Sequence, residues 1–133
     1  MNDTLVLFSV AIILLILLYV FYNLLTRKSS GPEWKNVAKQ NLITTLKTSD
    51  YKSALIELDK LLDYCLKNKK LEGETLGERL KNAKGLYEKR EYNSIWEAHK
   101  QRNALVHQVN YRLDNASLKQ HINTLKKAVE ELV

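Results

Sequence analysis

The segment 94–107, SIWEAHKQRNALVH, concentrates side chains that can move a proton or hold an anion. His99 and His107 carry imidazoles, which exchange protons near neutral pH. Arg102 can grip a phosphate or carboxylate with two parallel N–H groups, and Asn103 can donate and accept at once. Read as a helix at about 100° per residue, the segment separates into faces. Ile95, Ala98, Leu105, Val106 and Val109 share one broad apolar face, with Trp96 at its edge. Glu97, Lys100, Gln101, Ala104 and Gln108 share the opposite face, while His99, Asn103 and His107 continue along the side of Trp96. Arg102 falls inside the apolar arc, between Val109 and Ile95. Arginine is almost never buried without partners, and sites where pattern and polarity conflict are often functional or strained. Two explanations follow. Arg102 pairs with Asp59 or Asp63 of another helix and braces the bundle, or Arg102, Asn103 and His107 line a cleft or subunit interface.

Other chemistries are poorly supplied. The single Cys excludes a disulfide framework and any Cys-based zinc site. Cys65 falls on an apolar stripe and reads as a small buried hydrophobe rather than a reactive thiol. Gly73 and Gly77 lack a preceding strand, a Gly-Lys-Ser/Thr and a GxGxxG, so they read as turn and cap residues rather than a phosphate loop.

The elements that must position these side chains are helices. One Pro and four Gly in 133 residues argue against a turn-rich β-sandwich. Apolar residues at helical spacing place helices at about 33–47, 51–68, 76–84, from 93 or 94 to 109, and 117–132. Pro32 fits the first turn of the first of these. Ser49 and Asp50 offer caps for the second, and Thr75 with Glu78 forms a capping box for the third. Ser117 with Gln120 is expected to form another for the last. The fold expected for residues 33–133 is all-α, an up-down bundle of four to five helices around one modest core.

Before the bundle lies a different composition. No charge occurs between Asp3 and Arg27, and residues 5–25 read LVLFSVAIILLILLYVFYNLL. A helix of ~21 residues rises ~31 Å, the thickness of a bilayer core, so a single transmembrane helix is expected over 5–25 behind a tail at 1–4. A cleaved signal peptide would need a basic start and a small-residue cleavage site, which are absent. Arg27 and Lys28 open a short basic linker at 26–32. By the positive-inside rule they put the N-terminus outside and the C-terminal domain in the cytoplasm, at the inner membrane. All 21 basic residues lie from Arg27 onward against 14 acidic ones, a net +7. That balance suits RNA and an anionic leaflet equally.

The run Arg102-Asn103-Ala104-Leu105-Val106-His107 resembles the Arg-x4–6-His motif of the HEPN superfamily, where the residue after Arg is typically Asn, Asp or His. Trp96 and His99 precede it, a short loop and a final amphipathic helix follow, and the resemblance covers roughly residues 36–133. It implies metal-independent RNA cleavage in a composite cleft between two copies. His107 would be the general base or acid, Arg102 would hold the scissile phosphate, and Asn103 would orient the substrate or His107. His99 and Trp96 would support the site or touch substrate, and His121 has no assigned role. No cofactor or metal is implied. The expected partners are the bilayer through 5–25, a second copy, RNA and an inhibitor protein. The expected function is a metal-independent ribonuclease or an RNA-binding module acting as a dimer; the competing reading is a non-catalytic, membrane-tethered protein-interaction or scaffold module.

Overall fold

The computed structural model describes residues 2–26 and 32–133, and among them every regular element is helical. Two compact units divide at residue 31. The first is one helix, α1 (Asn2–Thr26). Its described large apolar side chains, among them Phe8, Ile12, Leu15, Leu18 and Phe21, are exposed. Among the described residues no helix is long and apolar enough to cross a membrane, which overturns the transmembrane span expected over 5–25. Residues 27–31, with Arg27, Lys28 and most of the expected linker, lie outside the described residues.

The second unit is a bundle of five α-helices and one 3₁₀ turn. These are α2 (Glu33–Leu46), α3 (Tyr51–Asn68), α4 (Leu76–Asn82), the 3₁₀ turn Lys84–Leu86, α5 (Lys89–His107) and α6 (Asn115–Glu130). The all-α bundle is therefore as expected. α3 is central and meets α2, α4, α5 and α6. Its stripe of Leu55, Leu58, Leu62, Cys65 and Leu66 is fully buried, joined by Leu80, Ile95, Leu125 and Val129 from the other helices. Each such Leu, Ile or Val contributes about 1.5–3 kcal/mol on burial. Burial also pushes the Cys65 thiol up to about 11, so it is an inert core residue.

Caps set the helix starts. Asp50 accepts from Lys52 N–H at 3.1 Å and opens α3. Pro32 occupies the N-cap of α2 rather than its first helical position. α5 begins four residues before Asn93. Ser94 is not a cap, because its hydroxyl donates back to the Arg90 carbonyl at 3.1 Å within the helix. α6 is capped by Asp114, whose carboxylate accepts from Ser117 N–H at 2.9 Å and from the Ser117 hydroxyl at 2.8 Å. Ser117 is thus the partner of a cap and not the cap itself, since an ionised carboxylate offers more acceptor capacity than a hydroxyl.

The connection from α3 to α4 fixes one wall of the site. Lys70 adopts φ 65°, and Leu71 N–H reaches back to the Leu66 carbonyl at 3.2 Å, ending α3 in a left-handed turn. Gly73 follows at φ 136°. A Cβ there would stand 2.8 Å from Glu78 Cβ and 2.9 Å from Arg79 N, so only glycine lets the chain fold so closely onto α4. The Thr75–Glu78 capping box forms as expected. At the far end of α4, Tyr92 of α5 donates its hydroxyl to the Leu80 carbonyl at 3.0 Å. Asn82 donates to the Glu72 carbonyl at 2.9 Å.

Candidate functional site

Asp59 is the centre of a polar cluster inside the bundle. It sits on the apolar stripe of α3, three residues before Leu62 and four after Leu55, and only 1% of its side chain is exposed. A carboxylate in such a place must be paired. Two residues of α5 meet it. His99 Nδ1 lies 2.8 Å from Oδ1, and Arg102 Nε lies 2.9 Å from Oδ2. The Arg102 Nε–H is not aimed along that line, so the contact is an ion pair rather than an aligned hydrogen bond. Arg102 Nη1 instead donates to Asn103 Oδ1 at 2.8 Å. Asn103 Nδ2 lies 3.2 Å from His99 Nε2.

These contacts fix the hydrogen positions by elimination. Guanidinium can only donate, so Asn103 Oδ1 faces Arg102 and the amide N–H group faces His99. Nε2 of His99 must then accept, and its proton rests on Nδ1, donated to Asp59. The result is a closed ring of four side chains in which both imidazole nitrogens are engaged. Trp96 braces the ring from outside. Its indole meets the His99 ring edge-on at 6.0 Å and the Tyr92 ring at 6.4 Å.

The cluster opens on one side into a cleft of about 500 Å³ between α3, α4 and α5. Asp59, Lys60, Asp63, Thr75, Gly77, His99, Arg102 and Asn103 are among its lining residues. Gly77 brings the first turn of α4 against the imidazole, since a Cβ there would lie 3.8 Å from His99 Nε2 in ordinary contact. The Arg102 side chain is 19% exposed, so a buried acid holds it while part of its guanidinium reaches the cleft. A second pair stands beside the first. Arg79 of α4 donates from Nη1 to Asp63 Oδ1 at 2.6 Å, with Arg79 buried and Asp63 35% exposed.

Sequence reasoning grouped Trp96, His99, Arg102, Asn103 and His107. The structure brings the first four together. His107 is the last residue of α5, is exposed, and does not line the cleft. Five residues of helix turn a side chain about 140° from its starting direction, which carries His107 away from Arg102. Asp59 and Asp63 entered the sequence reading only as possible braces, and Arg102 takes Asp59. Lys60, Thr75, Gly77 and Arg79 were missed as site neighbours. Arg79 did carry a signal, for it lies three residues after Leu76 and four before Ala83, both buried. His121 stands apart on α6. Burial lowers its proton affinity, and Glu97 partly opposes this.

Among the described residues no group of His, Cys, Asp and Glu is arranged to hold a metal ion. No family model matches the chain, and no curated protein or solved structure matches it. The resemblance to the HEPN superfamily is thereby overturned. The six-residue motif is too short to carry it alone, and its two end residues serve different places in the bundle.

Proposed function

We propose that residues 32–133 form a non-catalytic RNA-binding module whose site is the cleft between α3, α4 and α5. The observation that carries this reading is Arg102, held from behind by buried Asp59 while its outer edge opens into a polar cleft beside Lys60. A guanidinium braced in this way loses little freedom when it engages a ligand. Nineteen basic against fourteen acidic residues give the unit a charge of +5, which draws a strand electrostatically. The non-catalytic character follows from the imidazoles. His107 does not line the cleft, and both ring nitrogens of His99 are engaged by Asp59 and Asn103. Asp59, His99, Arg102 and Asn103 come from one chain, so the site needs no second copy, and without cleavage no inhibitor is needed.

The test is fluorescence anisotropy of the full chain with single-stranded RNA decamers, in chelator, at two salt concentrations. Affinity is expected to fall with salt. Arg102→Lys should weaken binding about tenfold, because the planar fork is lost, and Lys60→Gln about threefold as one surface charge is removed. His107→Ala should change nothing, and the RNA should stay intact. Equal binding by the Arg102 variant, or cleavage abolished by His107→Ala, overturns the reading.

A further inference from the structure

The charges at the cleft cancel. Arg102 is matched by Asp59 at 2.9 Å, Arg79 by Asp63 at 2.6 Å, and Lys60 by Glu57 at 2.7 Å. A phosphate inside the cleft meets as many carboxylates as cations, so the strand is drawn by the net +5 of the unit and the cleft itself is left to read a base. A neutral ligand with both donors and acceptors gains more, provided each faces the right wall. Arg102 can only donate, so the ligand must present acceptors to it. Asp63 can only accept, so the ligand must present donors there. Arg79 occupies one lone pair of Oδ1, which leaves the rest of this part-exposed carboxylate to accept from the cleft. Asp63 is four residues beyond Asp59 on α3, about 6 Å along the axis. Arg102 rests on Asp59, so donor wall and acceptor wall stand about one helical turn apart.

From this arrangement we propose that the cleft takes an unstacked guanine base, with Asp63 accepting from N1–H and the exocyclic amine and Arg102 donating to O6 and N7. Guanine carries two adjacent donors on one edge and two acceptors on the next. O6 and N7 match an arginine fork. Adenine and cytosine offer one exocyclic donor group, and uracil sets its single N–H between two acceptors that the carboxylate repels. A cleft of about 500 Å³ has room for a nucleoside. Bases splayed from single strands are commonly read on their edges in this manner. The inference rests on the RNA-binding reading and adds its specificity.

The experiment measures binding of the full chain to oligouridine decamers carrying one central guanosine, inosine, adenosine or uridine, and to free guanosine monophosphate. Inosine differs from guanosine only in lacking the exocyclic amine, so the protein needs no alteration. Guanosine is expected to bind about tenfold more tightly than inosine, the effect of one hydrogen bond to a charged group, and about a hundredfold more tightly than uridine. Where Asp63→Asn remains folded by circular dichroism, the guanosine-to-inosine ratio should collapse to one. Equal affinity for all four decamers overturns the guanine inference and leaves RNA binding standing. Binding of guanosine monophosphate without binding of any decamer overturns RNA binding and retains the base site. Binding of neither overturns both.

Discussion

Two buried regions of the bundle obey different rules. Around Leu55, Leu58, Leu62 and Leu125 the requirement is volume, because any apolar group of suitable shape removes surface from water. Around Asp59 the requirement is completeness, because each polar atom out of water must find a partner. The first region degrades gradually under substitution. The second fails as a unit, since removing one member strands the others. Stability measurements can separate the two behaviours.

The largest effect is expected at the centre of the polar cluster. Asp59→Asn should destabilise the fold by about 3–5 kcal/mol, because Arg102 is left without its counter-charge in a buried setting. The joint replacement Asp59→Leu, His99→Leu, Arg102→Met should recover most of that loss, since an apolar cluster of similar size needs no partners. Urea unfolding of both variants checks the pair of outcomes. A joint variant as unstable as Asp59→Asn would show that the cluster supports the fold through more than mutual satisfaction. In the apolar region, Leu62→Ala should cost about 2–5 kcal/mol. There a second truncation, Leu118→Ala, at the end of α6 that lies beside Tyr51, eleven residues back from Leu62 along α3, should add nearly independently. Strong non-additivity between those two would erase the contrast.

The apolar region was legible from residue spacing. The stripe through Leu55, Leu58, Leu62 and Cys65 gave α3 its bounds, and all four residues are buried. The polar region announced itself only as a violation. Arg102 stood in an apolar arc, and a carboxylate of the preceding long helix was one of its two expected explanations. The identity of the ring was not legible. Which way Asn103 turns and which nitrogen of His99 accepts depend on side-chain contacts within α5, and the acceptor of the other His99 nitrogen lies forty positions away. Local signals misled where two polar residues competed for one role. Ser117 looked like a cap and α5 was expected to start at Asn93 or Ser94, yet Ser94 bonds back within α5 and Ser117 serves Asp114. The His107 end of the motif illustrates the same limit, for spacing along a sequence does not say which side of a helix finds a partner.

An intermediate effect is expected at the turn that connects the two regions. Gly73→Ala forces a Cβ to within 2.8 Å of Glu78 Cβ at φ 136°. It should cost about 1–3 kcal/mol. Because Gly73 precedes α4, which carries Gly77 over His99, the variant should also raise hydrogen exchange at α4 amides while leaving α6 unchanged. Equal protection in both helices would mean that the turn does not position the wall of the cleft.

The smallest effect belongs to the capping box that begins α4. The carboxylate of Glu78 accepts from Glu74 N–H at 2.6 Å and from Thr75 N–H at 3.2 Å. Those two backbone bonds, the Glu74 one foremost, hold its pKa below the usual carboxylate value. A folded-state value lowered in this way contributes stability that is present above the unfolded carboxylate range. That contribution is lost as pH falls through the folded value. Asp50, lowered chiefly by the Ser53 hydroxyl, and Asp114, lowered chiefly by Ser117 N–H, act with the same sign. The thermal midpoint should therefore decline between about pH 5 and pH 3. Glu78→Gln keeps a side chain that can still accept but does not titrate, so its midpoint should start slightly lower and decline less steeply. Parallel curves for the two proteins would show that Glu78 gains nothing by being ionised. The start of α4, and with it the cleft wall at Gly77, would then be held by interactions that do not titrate, among them the Thr75 hydroxyl and the burial of Leu76 and Leu80.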